Sequence, residues 1–268
     1  MTALSAPAKK REDIRGMLSI AMDRGACDGL PKHIKPDAMV SAITGSLTRD
    51  PGLLDCKPAT FVRALVLASQ AGLPPDGYHA HLVRYKDEVE YIPDFKGLIQ
   101  IALRNGCLID AHPVYEKDRF EYTYGLEPTL VHVPYEGDDA GPLRAAYAVA
   151  RFSGPDGDKT VFVVASKRDV ERRKAASKSA AYGGSPWKKW EPEMWVKTAV
   201  KMLSKYIPRS EMFTMAVRAD DFADSGSAQI VSDNQVLEFI DDGDSSRVAK
   251  VEAMLTEGTE DDASGTGT

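Results

Sequence analysis

The sequence lacks the patterns that define several common protein classes. Its three cysteines, Cys27, Cys56 and Cys107, are odd in number, far apart and without any CxxC spacing, so we expect neither a disulfide framework nor a zinc site. No apolar run approaches the roughly 18 residues that span a bilayer, and the N-terminus has no apolar segment of the secretory type. We therefore expect a soluble, cytoplasmic protein.

Motifs for nucleotide-driven or nucleophilic chemistry are also missing. The chain contains no Walker loop, no GxGxxG and no nucleophile elbow. What it does contain is enough apolar sequence, 43% of 268 residues, to bury a full core. We therefore expect a folded protein whose activity is independent of ATP.

Charge is unevenly distributed along the chain. Residues 219–268 hold 13 acidic and 2 basic residues, whereas residues 1–218 hold 27 acidic and 32 basic ones. A body of net charge +5 suits a polyanionic partner, and a tail of −11 solvates, binds a basic partner or competes for the body's own basic surface. We predict a disordered segment at 1–10, a folded domain at 11–218, and a largely disordered acidic tail at 219–268.

The spacing of apolar residues predicts an α+β fold. The first third of the chain has helical periodicity, with Pro58 able to begin a helix and Gly72 able to end it. Short strand-like segments follow: HAHLVRY paired with VEYI, then AHPVYEKDRFEYTYG, TLVHVPY, LRAAYAVARF and TVFVVA. Helices resume at Ser166, where Asp169 completes a capping-box pattern. We expect a central antiparallel sheet with hairpins, flanked by helices.

A last helix, from about Pro192 to Tyr206, combines an apolar face with a lysine repeat. Lys197, Lys201 and Lys205 recur every four residues and therefore share one face. This pattern predicts a core helix with a basic outer stripe. The alternative is a solvated helix face without a ligand.

The region around this helix is the most basic part of the sequence. Residues 167–209 hold 12 basic and 4 acidic residues, with Tyr182, Trp187 and Trp190 interleaved. Cations that follow a phosphate backbone and aromatic rings on which bases stack are typical of a groove for single-stranded nucleic acid. Core tryptophans beside a solvated face are the alternative.

The stretch YIPDFKG, residues 91–97, could hold a phosphate or cut a phosphodiester. If Asp94 caps the following helix, Lys96 and Gly97 lie in its first turn, where backbone N–H groups attract an anion. The alternative is a Mg²⁺-dependent nuclease of the PD-(D/E)xK type, built on Asp76, Asp94 and Lys96. That motif places its acid and lysine on a strand, so we favour the phosphate site.

A metal site near His79 and His81 is a further alternative. These residues are two apart, share one face of a strand and lie close in sequence to Asp76. No third strong ligand has suitable local spacing. We therefore expect hydrogen-bonded structural histidines.

Several motifs in the same order resemble a known family. QAGLPPDGYHAHLVRYKDEVEYIPDFKGLIQIALRNG, followed by VYEKDRFEY, LVHVPY, AAYAVA and PWKKWEPEMWVKTAVKMLSKYIPRS, is similar to the RecT family of bacteriophage single-strand annealing proteins. The resemblance covers roughly residues 30–210. Pro93 and Phe95 stand where the family more often has an aliphatic residue and tyrosine, and Lys201 where arginine is common.

The resemblance implies a non-enzymatic protein that binds single-stranded DNA and anneals complementary strands in recombination. It implies a homo-oligomer, as a ring or a helical filament, and helices that line a basic groove around the DNA and the annealed duplex. The family usually acts beside a 5′-to-3′ exonuclease, which is therefore an expected partner. The acidic tail matches no motif of the family, and its expected partner is either a host single-strand-binding protein or that exonuclease. No cofactor is expected, with Mg²⁺ only a modulator of DNA binding; a plain single-strand-binding protein without annealing is the remaining alternative.

The resemblance and the basic pattern together give a set of candidate DNA-contacting residues. They are Arg84, Tyr91, Lys96, Arg104, Lys174, Lys178, Trp187, Lys188, Lys189, Lys197, Lys201 and Lys205.

Overall fold

The computed structural model describes residues 5–155, 157–181, 185–225 and 231–240. Contacts between residues divide the chain into two units. Unit 1 contains the residues up to Asp94, those of Thr214–Ala223 and the described residues that follow. Unit 2 contains Phe95–Phe213 and the last described residues of the helix that ends at Ser225.

Unit 1 is mostly helical, with one hairpin. Its helices and strands are α1 (Ala6–Ala21), α2 (Pro36–Arg49), α3 (Pro58–Ala71), β1 (Ala80–Tyr85), β2 (Glu88–Pro93) and α9 (Asp233–Ile240), with a π-helical segment Met22–Ala26 and a 3-10 segment Pro51–Asp55. Helix α3 begins at Pro58, as predicted, and ends because Gly72 adopts the left-handed conformation, with φ of 61°. Helices α1, α2 and α3 pack together, and α9 packs against α1 and α3.

Unit 2 is an antiparallel sheet with helices against it. Its elements are α4 (Phe95–Arg104), β3 (Cys107–Tyr115), β4 (Arg119–Thr123), β5 (Thr129–Val133), β6 (Leu143–Gly154), β7 (Gly157–Ser166), α5 (Lys167–Ala176), α6 (Pro186–Lys189) and α7 (Glu191–Leu203). The strand order is β3-β6-β7, and β4 pairs with β5 as a separate hairpin. Helix α7 packs on all three strands of the sheet and against α4, α5 and α6. Helix α8 (Glu211–Ser225) has residues in both units.

An aromatic cluster joins the β4–β5 hairpin to the sheet. Phe120 of β4 stacks on Tyr147 of β6, with ring centroids 5.6 Å apart, and both side chains are buried with Val114, Ala145 and Val164. Alternation along the strands explains the contact, because Phe120 and its cross-strand partner His132 point to the same side of the hairpin.

The α+β prediction is confirmed, as are the helical N-terminal third, the β1–β2 hairpin and the antiparallel sheet. Three boundaries differ. Helix α1 begins at Ala6, inside the segment predicted to be disordered, α7 ends at Leu203 rather than at Tyr206, and residues predicted to lie in the tail belong to α8 and α9. Tyr182 and most of the tail lie outside the described residues. Within the described ranges, no helix is long and apolar enough to cross a membrane.

Candidate nucleic-acid interface

Helix α5 carries the predicted basic segment on a well-defined helix start. The Ser166 side chain accepts the Asp169 backbone N–H, and the Asp169 carboxylate accepts the Ser166 backbone N–H, which forms the predicted capping box. Hydrogen bonds from Ser166 keep the pKa of Asp169 below its usual value despite partial burial. The following cations Lys167, Arg168 and Arg172 are exposed. This helix therefore presents positive charge at the surface.

The short helix α6 adds two further exposed lysines. The Ser185 side chain accepts the Trp187 backbone N–H at 3.2 Å and begins the helix, and Lys188 and Lys189 then point to solvent. Trp187 itself is buried, with 2% exposure, whereas Trp190 is 59% exposed. The Trp187 ring therefore packs below the surface that Lys188 and Lys189 occupy. A nucleobase could contact this ring only after a local rearrangement.

The exposed lysine stripe predicted for the last helix is wrong for two of its three members. Lys197 and Lys201 of α7 are only 9% and 3% exposed, while Lys205, two residues beyond the helix end, is exposed. The four-residue spacing is correct, but neighbouring elements cover the face that the spacing defines, because α7 packs against the sheet and three helices. These two lysines do not present charge at the surface in this conformation.

Charge in this buried region is partly neutralised by the end of α8. The Nζ atom of Lys201 lies 3.8 Å from the Asp224 carboxylate, and the Ser177 hydroxyl donates to the same carboxylate at 3.1 Å. Ser177 directly follows α5. Asp224 therefore links the ends of α5 and α8 to the buried lysine of α7.

The remaining basic candidates of unit 2 differ in their exposure to solvent. Lys174 and Lys178, in α5 and in the 3-10 segment Lys178–Ala181, are half-buried. Arg104 lies exposed in the last turn of α4, and partial burial lowers the pKa of its guanidinium. Lys96 lies in the first turn of α4 with its Nζ 5.3 Å from the centroid of the Phe95 ring.

In unit 1, the candidate Tyr91 is part of the hydrophobic core, and the candidate Arg84 makes contacts within the protein. Its ring is buried, its hydroxyl donates to the Leu73 carbonyl at 2.8 Å, and burial raises the pKa of the phenol well above its usual value. Arg84 is exposed, but its guanidinium donates to the Asp55 carboxylate at 3.0 Å and to the Gly52 carbonyl at 3.1 Å. Tyr91 is therefore placed to support the hairpin, and Arg84 ties the hairpin to the 3-10 segment.

The acids and histidines of the predicted alternatives form two separate pairs. Asp76 accepts the backbone N–H groups of Tyr78 and His79 and contacts His79 Nδ1 at 2.7 Å. His81 Nε2 lies 3.3 Å from Asp94, which directly precedes α4 as predicted. Among the described residues, no three His, Cys, Asp or Glu side chains are grouped so that they could hold a metal ion.

A buried polar network fixes the base of the β4–β5 hairpin. The Asp118 carboxylate accepts the Tyr115 and Tyr135 backbone N–H groups at 2.7 and 2.9 Å and lies 3.1 Å from His132 Nε2. The other ring nitrogen of His132 lies 3.2 Å from the Tyr147 hydroxyl. Burial opposes ionisation of Asp118, but these hydrogen bonds outweigh it and lower the pKa of the carboxyl. With a hydrogen on Nε2 and none on Nδ1, the His132 ring would donate to Asp118 and accept from the Tyr147 hydroxyl.

Sequence reasoning missed several exposed aromatic residues of unit 2. Tyr122 in β4 and Tyr124 just after it are 43% and 59% exposed, and Tyr206, after α7, is also exposed. The segment RFEYTYG contains the signal, because Phe120, Tyr122 and Tyr124 recur every two residues and so share a face of a strand.

Similarity to known proteins identifies the family of this chain. The family model described as the RecT family matches residues 38–235. Protein RecT of Escherichia coli (strain K12) is 34% identical over 227 residues, an alignment that covers 80% of this chain and 82% of that protein. The resemblance seen in the motifs therefore extends over most of the chain, and the chain belongs to the RecT family.

Proposed function

We propose that this chain binds single-stranded DNA and anneals complementary strands without ATP, acting by binding rather than by catalysis. One observation carries the proposal: α5 and α6, which both pack against α7, expose cations on the surface of unit 2. Membership of the RecT family supports a role in recombination and strand annealing. The resulting surface is suited to a phosphate backbone.

Salt dependence tests the phosphate contacts directly. For single strands, each neutralised phosphate contributes about −0.7 to the slope of log K against log salt concentration. The double variant Lys188→Ala/Lys189→Ala should therefore reduce that slope by about 1.4. Lys32→Ala/Lys35→Ala removes two exposed lysines of unit 1 and is the matched control, expected to leave the slope unchanged. Equal slopes for both double variants would refute the assignment of this surface.

Annealing is tested with two complementary oligonucleotides, one carrying a donor dye and one an acceptor, mixed with the protein without ATP. Parallel reactions with and without Mg²⁺ measure its effect as a modulator. Accelerated energy transfer with intact strands on a denaturing gel is the expected result. Shortened strands that depend on Mg²⁺ and Asp94 would favour the nuclease, and binding without faster pairing would leave a plain single-strand-binding protein.

Annealing also requires that many bases be held unpaired and accessible along a shared surface. The active form is therefore a homo-oligomer, a ring or helical filament that grows on DNA, with the helices of unit 1 making contacts between copies. Sedimentation should show species larger than a monomer whose size increases when single-stranded DNA is added. A monomer under both conditions would contradict this part of the proposal.

The acidic end of the chain is proposed to bind a protein partner, either the exonuclease that exposes the strand or a single-strand-binding protein. Residues 241–268 hold eight acidic and two basic residues. Because α8 and α9 contribute buried side chains to the fold, the deletion that tests this idea should begin at residue 241. Unchanged capture of both partners by the shortened protein would remove the proposal.

A further inference from the structure

Tyr124 has the geometry of a preformed stacking surface. Its ring lies on Phe162 of β7 in a stacked arrangement, with centroids 5.2 Å apart and planes 18° apart. The Tyr122 ring also contacts the Tyr124 ring, with centroids 5.4 Å apart and an angle of 71° between the ring planes. Tyr124 is nevertheless 59% exposed, so much of its remaining ring surface faces solvent.

The hydroxyl of Tyr124 fixes the ring in place. It accepts the backbone N–H of Val164 at 3.0 Å, which ties the residue that follows β4 to strand β7 of the sheet. A ring held at its hydroxyl and at one face loses little conformational freedom when another planar group stacks on it.

Two exposed cations follow the strand segment that holds this ring. Val164 precedes the start of α5 by three residues, so the exposed cations Lys167 and Arg168 follow within about 10 to 14 Å of extended chain. Burial raises the pKa of the Tyr124 phenol, and Tyr206 and Asp169 are close enough to contribute electrostatically. Tyr206 is itself exposed and follows the end of α7 by three residues.

Aromatic rings next to cations suit single-stranded nucleic acid better than an apolar protein surface, because each nucleotide offers one planar base and one phosphate. We propose that Tyr124, supported by Tyr122 and Phe162, is a stacking site for a nucleobase of single-stranded DNA whose phosphates contact the start of α5. This inference rests on the proposed function and names where a base, rather than the backbone, is held.

The test compares an oligothymidine with an abasic oligonucleotide of equal length, which has the same phosphates and no bases. Tyr124→Leu should weaken binding of the oligothymidine at least about fivefold and leave binding of the abasic strand unchanged. Tyr124→Phe keeps the ring but loses the hydroxyl that accepts the Val164 N–H, so its affinity for the oligothymidine should lie between those of Tyr124→Leu and the unchanged protein. Tyr135→Leu is the control, since Tyr135 is also exposed but has the Lys117 ammonium 5.5 Å from its ring centroid.

A second measurement uses the unchanged protein and so does not depend on the variants folding. Irradiation of a complex with an oligonucleotide that contains 5-iodouracil should crosslink the peptide carrying Tyr122 and Tyr124. Crosslinks confined to other peptides, or an equal loss for both strands in Tyr124→Leu, would overturn the stacking site.

Other results separate the two proposals. Tight, salt-sensitive binding of both strands with equal affinity by the unchanged protein would retain the proposed function and reject the stacking site. Binding of neither strand at low salt would reject both. If Tyr124→Leu instead changed the sedimentation of the DNA-free protein and left strand affinity intact, the surface would be a contact between copies, and the stacking site would again be rejected.

Discussion

The network around Asp118 makes a prediction about stability that depends on pH. Replacing Asp118 with alanine removes the acceptor for two partly buried backbone N–H groups, those of Tyr115 and Tyr135, and the buried carboxylate beside His132. An unsatisfied buried donor costs about 1 to 3 kcal/mol. Because the two donors are only partly buried, each falls at the low end of that range, and we expect Asp118→Ala to lower the free energy of unfolding by about 2 to 3 kcal/mol at neutral pH.

The sign of the pH effect follows from the lowered pKa of Asp118 in the folded protein. Its ionised form stabilises the fold fully above the unfolded value of about 3.9, and this stabilisation is lost as the pH falls through the folded pKa. The difference between the unchanged protein and Asp118→Ala should therefore be largest near neutral pH and shrink in acid.

Urea unfolding followed by circular dichroism at several pH values measures this difference. Asp138→Ala is the matched control, because Asp138 is an exposed acid near the same hairpin. We expect the control to change stability by less than about 0.5 kcal/mol. A loss below about 1 kcal/mol for Asp118→Ala, or a loss that stays constant into acid, would refute the reasoning that the ionised carboxylate secures the hairpin.

Three further predictions concern single side chains and use the same unfolding measurement. Tyr91→Phe removes the donor to the Leu73 carbonyl and should cost about 1 to 2 kcal/mol while leaving the affinity for single-stranded DNA intact; reduced affinity in a stable variant would restore Tyr91 as a DNA contact. Ser166→Ala removes the cap of α5 and should cost about 1 kcal/mol, and no loss would contradict the capping box. Lys201→Ala should lower stability and hardly alter the salt slope, whereas Lys189→Ala should do the reverse; the opposite outcome would mean that Lys201 reaches the DNA.

The lysine repeat of α7 shows what periodicity does and does not predict. A spacing of four places Lys197 and Lys201 on one face, which the helix confirms. It does not reveal which neighbours cover that face, and here α4, α5, α6 and the sheet surround the helix. Exposure depends on contacts between distant parts of the chain, so a local pattern could not predict it.

The strands were easier to predict because alternation and turn residues act locally. The hairpin of β6 and β7, for example, could be read from LRAAYAVARF, SGPDGD and TVFVVA. Helix α9 was missed because its few apolar residues, including Val236 and Ile240, lie in an acidic segment and become buried in unit 1, where α9 packs on α1 and α3. The acidic composition of residues 219–268 alone favoured a disordered tail.

The packing of α9 on α1 and α3 also has a kinetic consequence. Unit 1 is discontinuous in the chain, because residues 95–213 intervene before its last described helix. Closing so long a loop costs entropy before the contacts of α9 offset it, and contacts distant in sequence slow folding. During synthesis, the sheet of unit 2 leaves the ribosome before α9 does. The intervening unit therefore has the opportunity to fold first, and completion of unit 1 waits for the end of the chain.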